Sequence, residues 1–145
     1  MISIRVKEAD FDAGAEAAAL RSQSVGAVAT FTGIVRGDVT LNLEHYPGMT
    51  EREIARHVEE ACTRWPLMGV TVIHRVGRLG PGANIVLVAV ASAHREAAFR
   101  ACEFLIDYLK TRAPFWKLEE RAGRAEWVEA RASDTEAAGR WKSQG

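Results

Sequence analysis

The chain has 145 residues, 48% hydrophobic and 26% charged, which suits a single domain over residues 1–145 with one core. Its 19 basic side chains match its 19 acidic ones, and zero net charge argues against nucleic acid, whose binders ordinarily carry a basic excess. No apolar run approaches the roughly 20 residues that span a bilayer and no signal-peptide block opens the chain, so a cytoplasmic protein without membrane contact is expected.

Residues 2–7 (ISIRVK) alternate and predict a first strand, and the alanine-rich residues 10–21 predict a short helix. Residues 26–36 (GAVATFTGIVR) read as a buried strand, Gly37-Asp38 as a turn, and residues 41–46 (LNLEHY) as the returning partner strand. After Pro47-Gly48, Thr50 and Glu53 have capping-box spacing, with Met49 and Ile54 placed for a hydrophobic staple, so a helix is expected to open at Thr50. Ile54, Val58, Ala61, Cys62 and Trp65 share one face, His57 borders it as a packing residue, and Pro66 ends the helix.

Residues 70–79 and 84–92 predict two strands of a hairpin around Gly80-Pro81-Gly82. These glycines are turn chemistry, because neither a Lys-Ser or Lys-Thr pair nor a helix follows them. Ser92 is expected to cap the longest helix, from about His94 to Ala113, with Ala97, Ala98, Ala101, Phe104, Leu105 and Tyr108 as its apolar stripe. Residues 117–121 and 126–130 predict a last strand pair around Gly123. Ser133 and Glu136 form a further capping box, opening a short helix that carries Trp141. Interleaved helices with mostly short strand connections predict an α+β fold, a largely antiparallel sheet with packed helices.

The chemistry concentrates in Lys110-Thr111-Arg112-Ala113-Pro114-Phe115-Trp116-Lys117. Pro114 stops the helix and pushes Ala113 out of the helical region, so the chain reverses between Lys110 and Lys117 and can aim both ammonium groups at one volume. The plainer alternative is that Lys110 and Arg112 answer the negative end of the helix dipole while Phe115 and Trp116 fill the core. Arg36 ends a buried strand, where it can reach over the sheet edge or simply be solvated. His94 and Arg95 sit at a helix start, the end that welcomes anions rather than cations, which makes sense if a phosphate or carboxylate binds there. The four histidines show no metal-site spacing and no nucleophile-elbow pattern occurs. Cys62 and Cys102 both fall on apolar helix faces and are expected to be buried, unreactive thiols. An enzyme built from these residues would work by positioning, charge stabilisation and lysine proton transfer.

Phe31-Thr32-Gly33, Val35-Arg36, Leu43 to Met49 (LEHYPGM), Val72 to Arg75 (VIHR), Ser92 to Arg95 (SAHR), Asp107 to Lys117 (DYLKTRAPFWK) and Trp127 to Arg131 (WVEAR) occur in this order. Over most of the chain from Gly26 to Trp141, this resembles the catalytic, large subunit of molybdopterin synthase. The resemblance implies an α/β-hammerhead-like fold and a sulfurtransferase of molybdenum cofactor biosynthesis. Such enzymes convert cyclic pyranopterin monophosphate to molybdopterin. Their sulfur comes from the thiocarboxylated C-terminal glycine of a small ubiquitin-like subunit, and no cofactor or metal is implied.

Carried onto this chain, the resemblance implies Lys110 and Lys117 as catalytic residues. It implies Val35, Arg36, His94, Arg95, Lys110, Lys117 and Glu119 around the substrate, and Arg131 reaching a neighbouring subunit in a homodimer within a heterotetramer. Two departures stand out: Ile34 where the family often has a basic residue, and a short loop from Gly37 to Thr40. The competing readings are a non-catalytic module gripping an anion or a protein tail with the same cations, and an RNA-contacting protein stacking bases on Phe115 and Trp116.

Overall fold

The computed structural model describes residues 1–121, 124–127, 139 and 141. In chain order the elements are β1 (Ile2–Lys7), α1 (Ala13–Ala18), β2 (Ala27–Ile34), β3 (Thr40–His45), α2 (Met49–Arg64) and β4 (Gly69–Arg75). They continue with β5 (Gly77–Leu79), β6 (Asn84–Ser92), α3 (Arg95–Thr111), β7 (Phe115–Arg121) and β8 (Arg124–Trp127). The strands form two four-stranded sheets, ordered β1-β4-β6-β2 and β5-β3-β7-β8. Every pair is antiparallel except β1 with β4, so the α+β reading with a largely antiparallel sheet holds.

The first sheet is buried on both faces, which is why β4 and β6 read as unbroken apolar runs. On one face, Val70, Val72, Val86, Val88 and Val90 pack against Ile54 and Val58 of α2 and Ala98, Ala101 and Leu105 of α3. On the other, Ile73 and Leu87 lie with Phe11, and Ala89 and Ala91 with Leu20. The second sheet has its own smaller core of Val35, Val39, Leu41, Leu43 and Leu79. All six residues of the expected α3 stripe are buried.

Several expectations are corrected. The strand over residues 70–79 is two strands, because Gly77 at φ +86° turns the chain out of the first sheet, and β5 then joins the second. Likewise β3 does not return beside β2; it pairs with β5 and β7, so the turn at Gly37 (φ +77°) carries the chain between sheets. The α2 cap is Gly48, whose N–H donates to Glu51 at 3.2 Å, and Thr50 serves the site instead. Met49, placed for a staple, is the first helical residue and is exposed. Ser92 ends β6 and donates to the Pro66 carbonyl at 2.8 Å, leaving α3 without a side-chain cap. The first helix is shorter than residues 10–21, starting behind the Asp12 cap. Cys62 is exposed rather than buried, whereas Cys102 is buried as expected. The Ser133–Glu136 capping box and residues 128–130 of the last expected strand lie outside the described residues.

Trp141 is buried against Trp65 and Phe104, and its indole N–H donates to Asp107 at 2.5 Å. Arg64 closes the cluster, its guanidinium 4.7 Å from the Phe104 ring centroid. Trp141→Ala is therefore expected to cost about 3–5 kcal/mol, since it opens a cavity and strips a buried carboxylate of a donor. A urea melt checks this, and a loss below about 1 kcal/mol would mean the cluster is peripheral to stability.

Candidate functional site

Pro114 sets the local geometry. The Arg112 N–H donates to the Tyr108 carbonyl at 2.8 Å as α3 ends, and two residues after Ala113 the chain is already strand. Lys110 stands in the last helical turn, exposed, and Lys117 is the third residue of β7. The turn between them is pinned from the side. Thr50, fully buried, accepts the Tyr46 N–H at 3.0 Å and donates its own hydroxyl to the Pro114 carbonyl at 3.2 Å. Thr50→Val would leave two polar backbone groups unpaired, an expected cost of about 2 kcal/mol with a fall in turnover exceeding any fall in substrate affinity. Paired denaturant melts and kinetics check it; wild-type turnover in the variant would remove Thr50 from the site.

The charges of both lysines are felt at His74, near the end of β4. Burial first, then the charges of Lys117, Lys110 and His45, hold this imidazole down to about 4 against the raising effect of its bond to the Arg75 carbonyl. His74 is therefore neutral at pH 7, and the positive charges of Lys110 and Lys117 both act on it electrostatically. Strand register places Arg36 at the same end of the molecule. Gly33, Val86 and His74 form one row across β2, β6 and β4, and Arg36 follows three residues after Gly33, exposed. Val35 gives its side chain to the second core and its backbone to Ala83 and Gly82, so it anchors Arg36 rather than offering a contact of its own. Glu119 is half-buried on β7, 3.5 Å from Arg121.

His94 and Arg95 lie elsewhere in this chain. They open α3, and the helical rise from there to Lys110, near its other end, separates them by about 23 Å. They neighbour the start of β2, where a Cβ on Gly26 would meet the Ala93 carbonyl at 2.1 Å. The structure thus brings Lys110, Lys117 and Arg36 to one end and His94 with Arg95 to the other. Arg131 is outside the described residues. Sequence reasoning assigned no site role to Thr50 or His74, although both lie in or beside blocks that carried the resemblance.

No thiolate is prepared among the cysteines: burial pushes Cys102 up to about 11, and partial burial raises Cys62. Among the described residues no three histidine, cysteine or acidic side chains converge as a metal site. His57 is stacked on Tyr108 with ring centroids 3.4 Å apart, and burial lowers its pKa, the packing role expected of it.

The two lowered imidazoles imply a pH dependence of folding. Below the ordinary histidine value near 6.5, the unfolded chain takes up protons that folded His57 and His74 refuse, so stability rises with pH through this window and is lost on acidification. For His74 the drop between pH 6.5 and 4 is on the order of 3 kcal/mol. Urea midpoints at pH 7 and pH 5 should differ for the wild type and differ less for His74→Phe. Equal slopes would show that His74 takes up a proton as readily folded as unfolded.

A family model described as MoaE protein matches residues 6–112. The chain is 56% identical over 149 residues to the molybdopterin synthase catalytic subunit of Mesorhizobium japonicum, covering 97% of this chain and 94% of that one. It is 61% identical over 122 residues to the molybdopterin synthase catalytic subunit of Escherichia coli K12, covering 80% and 81%. The solved molybdopterin biosynthesis MoaE protein from Burkholderia ambifaria superposes with a TM-score of 0.85 at 49% identity, over 97% of this chain and 98% of that one.

Proposed function

As the chain belongs to the MoaE family, we propose that it is the catalytic subunit of a molybdopterin synthase. It converts cyclic pyranopterin monophosphate to molybdopterin with sulfur from the thiocarboxylated C-terminal glycine of a small ubiquitin-like subunit. The observation that carries this reading is that Lys110 and Lys117 flank one turn, fixed by Thr50, and both bear electrostatically on one buried, neutral imidazole. As sulfur passes to the pterin and the acyl carbon takes oxygen from water, negative charge develops on the acyl oxygen. An ammonium held in place stabilises that charge and can exchange a proton with the reacting atoms. Lys110, at the mouth of the turn, takes this role. Lys117 stands beside it as a second catalytic cation, and Arg36 at the same end serves the substrate phosphate.

His94 and Arg95 join this site only if a second copy presents the start of its α3, which agrees with a homodimer flanked by two small subunits. Arg131 is assigned to the same cross-subunit role, and Glu119 to the substrate through the strand it shares with Lys117. No helix among the described residues is long and apolar enough to cross a membrane, and we place the reaction in the cytoplasm.

The RNA reading loses one of its two platforms, because Phe115 is stacked inward on His74. The binding-module reading is separated by turnover. The purified chain, mixed with cyclic pyranopterin monophosphate and a thiocarboxylated small subunit, should yield the dithiolene product by mass spectrometry in one turnover. A folded chain that binds the small subunit and forms no product would be a binding module.

A further inference from the structure

We propose that His74 is a positioning residue of the two-lysine site: its ring sits at the seam between the sheets, holds Phe115, and so fixes where β7 delivers Lys117. This rests on the reading of Lys117 as a working cation. His74 belongs to a strand paired on both sides, opposite Val6 of β1 and Val86 of β6, so its backbone has little room to shift. The residue is 7% exposed, and its ring lies nearly parallel to that of Phe115, with centroids 3.8 Å apart and planes 18° apart. The orientation is set by Nδ1, 2.8 Å from the Arg75 carbonyl oxygen. A carbonyl only accepts, so Nδ1 carries the hydrogen.

Phe115 is the first residue of β7, and strand alternation puts Lys117 on the same face two residues on. The backbone just before it is held by Thr50 through the Pro114 carbonyl. The start of β7 is therefore gripped twice, at its backbone from α2 and at its side chain from β4. The stack is a contact between the first sheet, to which His74 belongs, and the strand of the second that bears Lys117. The charged and titratable groups around it are Lys117 from β7, Lys110 from α3, His45 from β3 and Arg75 of its own strand. A flat, uncharged ring is the shape that packs on Phe115 without adding a cation to that set.

The test separates ring from polarity. His74→Phe keeps a stacking ring and loses the Nδ1 hydrogen bond, whereas His74→Gln keeps a polar group and loses the ring. For each variant, the maximal single-turnover rate and the pterin concentration at half that rate are measured beside the thermal melt. His74→Phe should stay within about fivefold of the wild-type rate. His74→Gln should fall by about 20-fold or more, with the half-saturating concentration within about threefold, the signature of a misplaced catalytic group. If His74→Gln does not fold, Phe115→Leu probes the contact from its other ring and should show the same fall in rate. His74→Gln at the wild-type rate, both variants falling alike, or a loss confined to half-saturation would overturn the proposal. An inactive wild type would instead overturn the sulfurtransferase reading on which it rests.

Discussion

Lys110→Ala is expected to lower the single-turnover rate of dithiolene formation by about 10³-fold, within the range lost when a positioned charge or proton-transfer group is removed. The fold should survive, because Lys110 is exposed in the last turn of α3 and no ion pair engages it among the described residues. A modest loss of stability is expected from the dipole term alone, about 0.5 kcal/mol. The contrast with Lys110→Arg divides the two roles a lysine can play. Arginine keeps a cation but does not give up its proton near neutral pH, and its planar fork fills space differently. Recovery to within about tenfold of wild type would assign Lys110 to charge stabilisation, and no recovery would assign it to proton transfer. Lys117→Ala should be milder, near 10²-fold, because Lys110 continues to supply charge to the same volume. A Lys110→Ala protein that turns over at the wild-type rate would remove the central residue of the mechanism.

Much of this site is visible in the linear chain because its logic is local. Pro114 cannot continue the helix before it, and a strand pattern begins directly after it, so the chain reversal between Lys110 and Lys117 follows from covalent rules. Thr50 and His74 are different. Thr50 has the spacing of a helix cap, and only tertiary structure puts the Pro114 carbonyl 3.2 Å from its hydroxyl. His74 sits in an apolar run, and its neighbours come from three other elements distant in sequence. The two-sheet division was hidden for a related reason. Gly77 is a single glycine in an alternating run, and nothing nearby distinguishes a tolerated glycine from one whose positive φ sends the chain into another sheet. Cys62 shows the limit of periodicity, since it falls on the predicted apolar face directly after the buried Ala61 and is nonetheless exposed.

The separation of the two cationic clusters leads to the second large effect. Arg95→Ala and Lys110→Ala chains are each expected to be nearly inactive, Arg95→Ala by about 10²-fold through loss of an anion-holding cation. Each chain has its two clusters about 23 Å apart along α3, too far to touch one small substrate. If one copy supplies Lys110 and the other supplies Arg95, an equal mixture of the two variants, unfolded and refolded together, makes mixed dimers at half the total. Every mixed dimer has one site with both defects and one with neither. Activity should therefore return to about one quarter of wild type, from two preparations that have almost none alone. A mixture as inactive as its components, with dimer exchange verified by mass spectrometry, would mean that Arg95 acts elsewhere. The substrate phosphate would then have to be held by Arg36 and the lysines of a single chain.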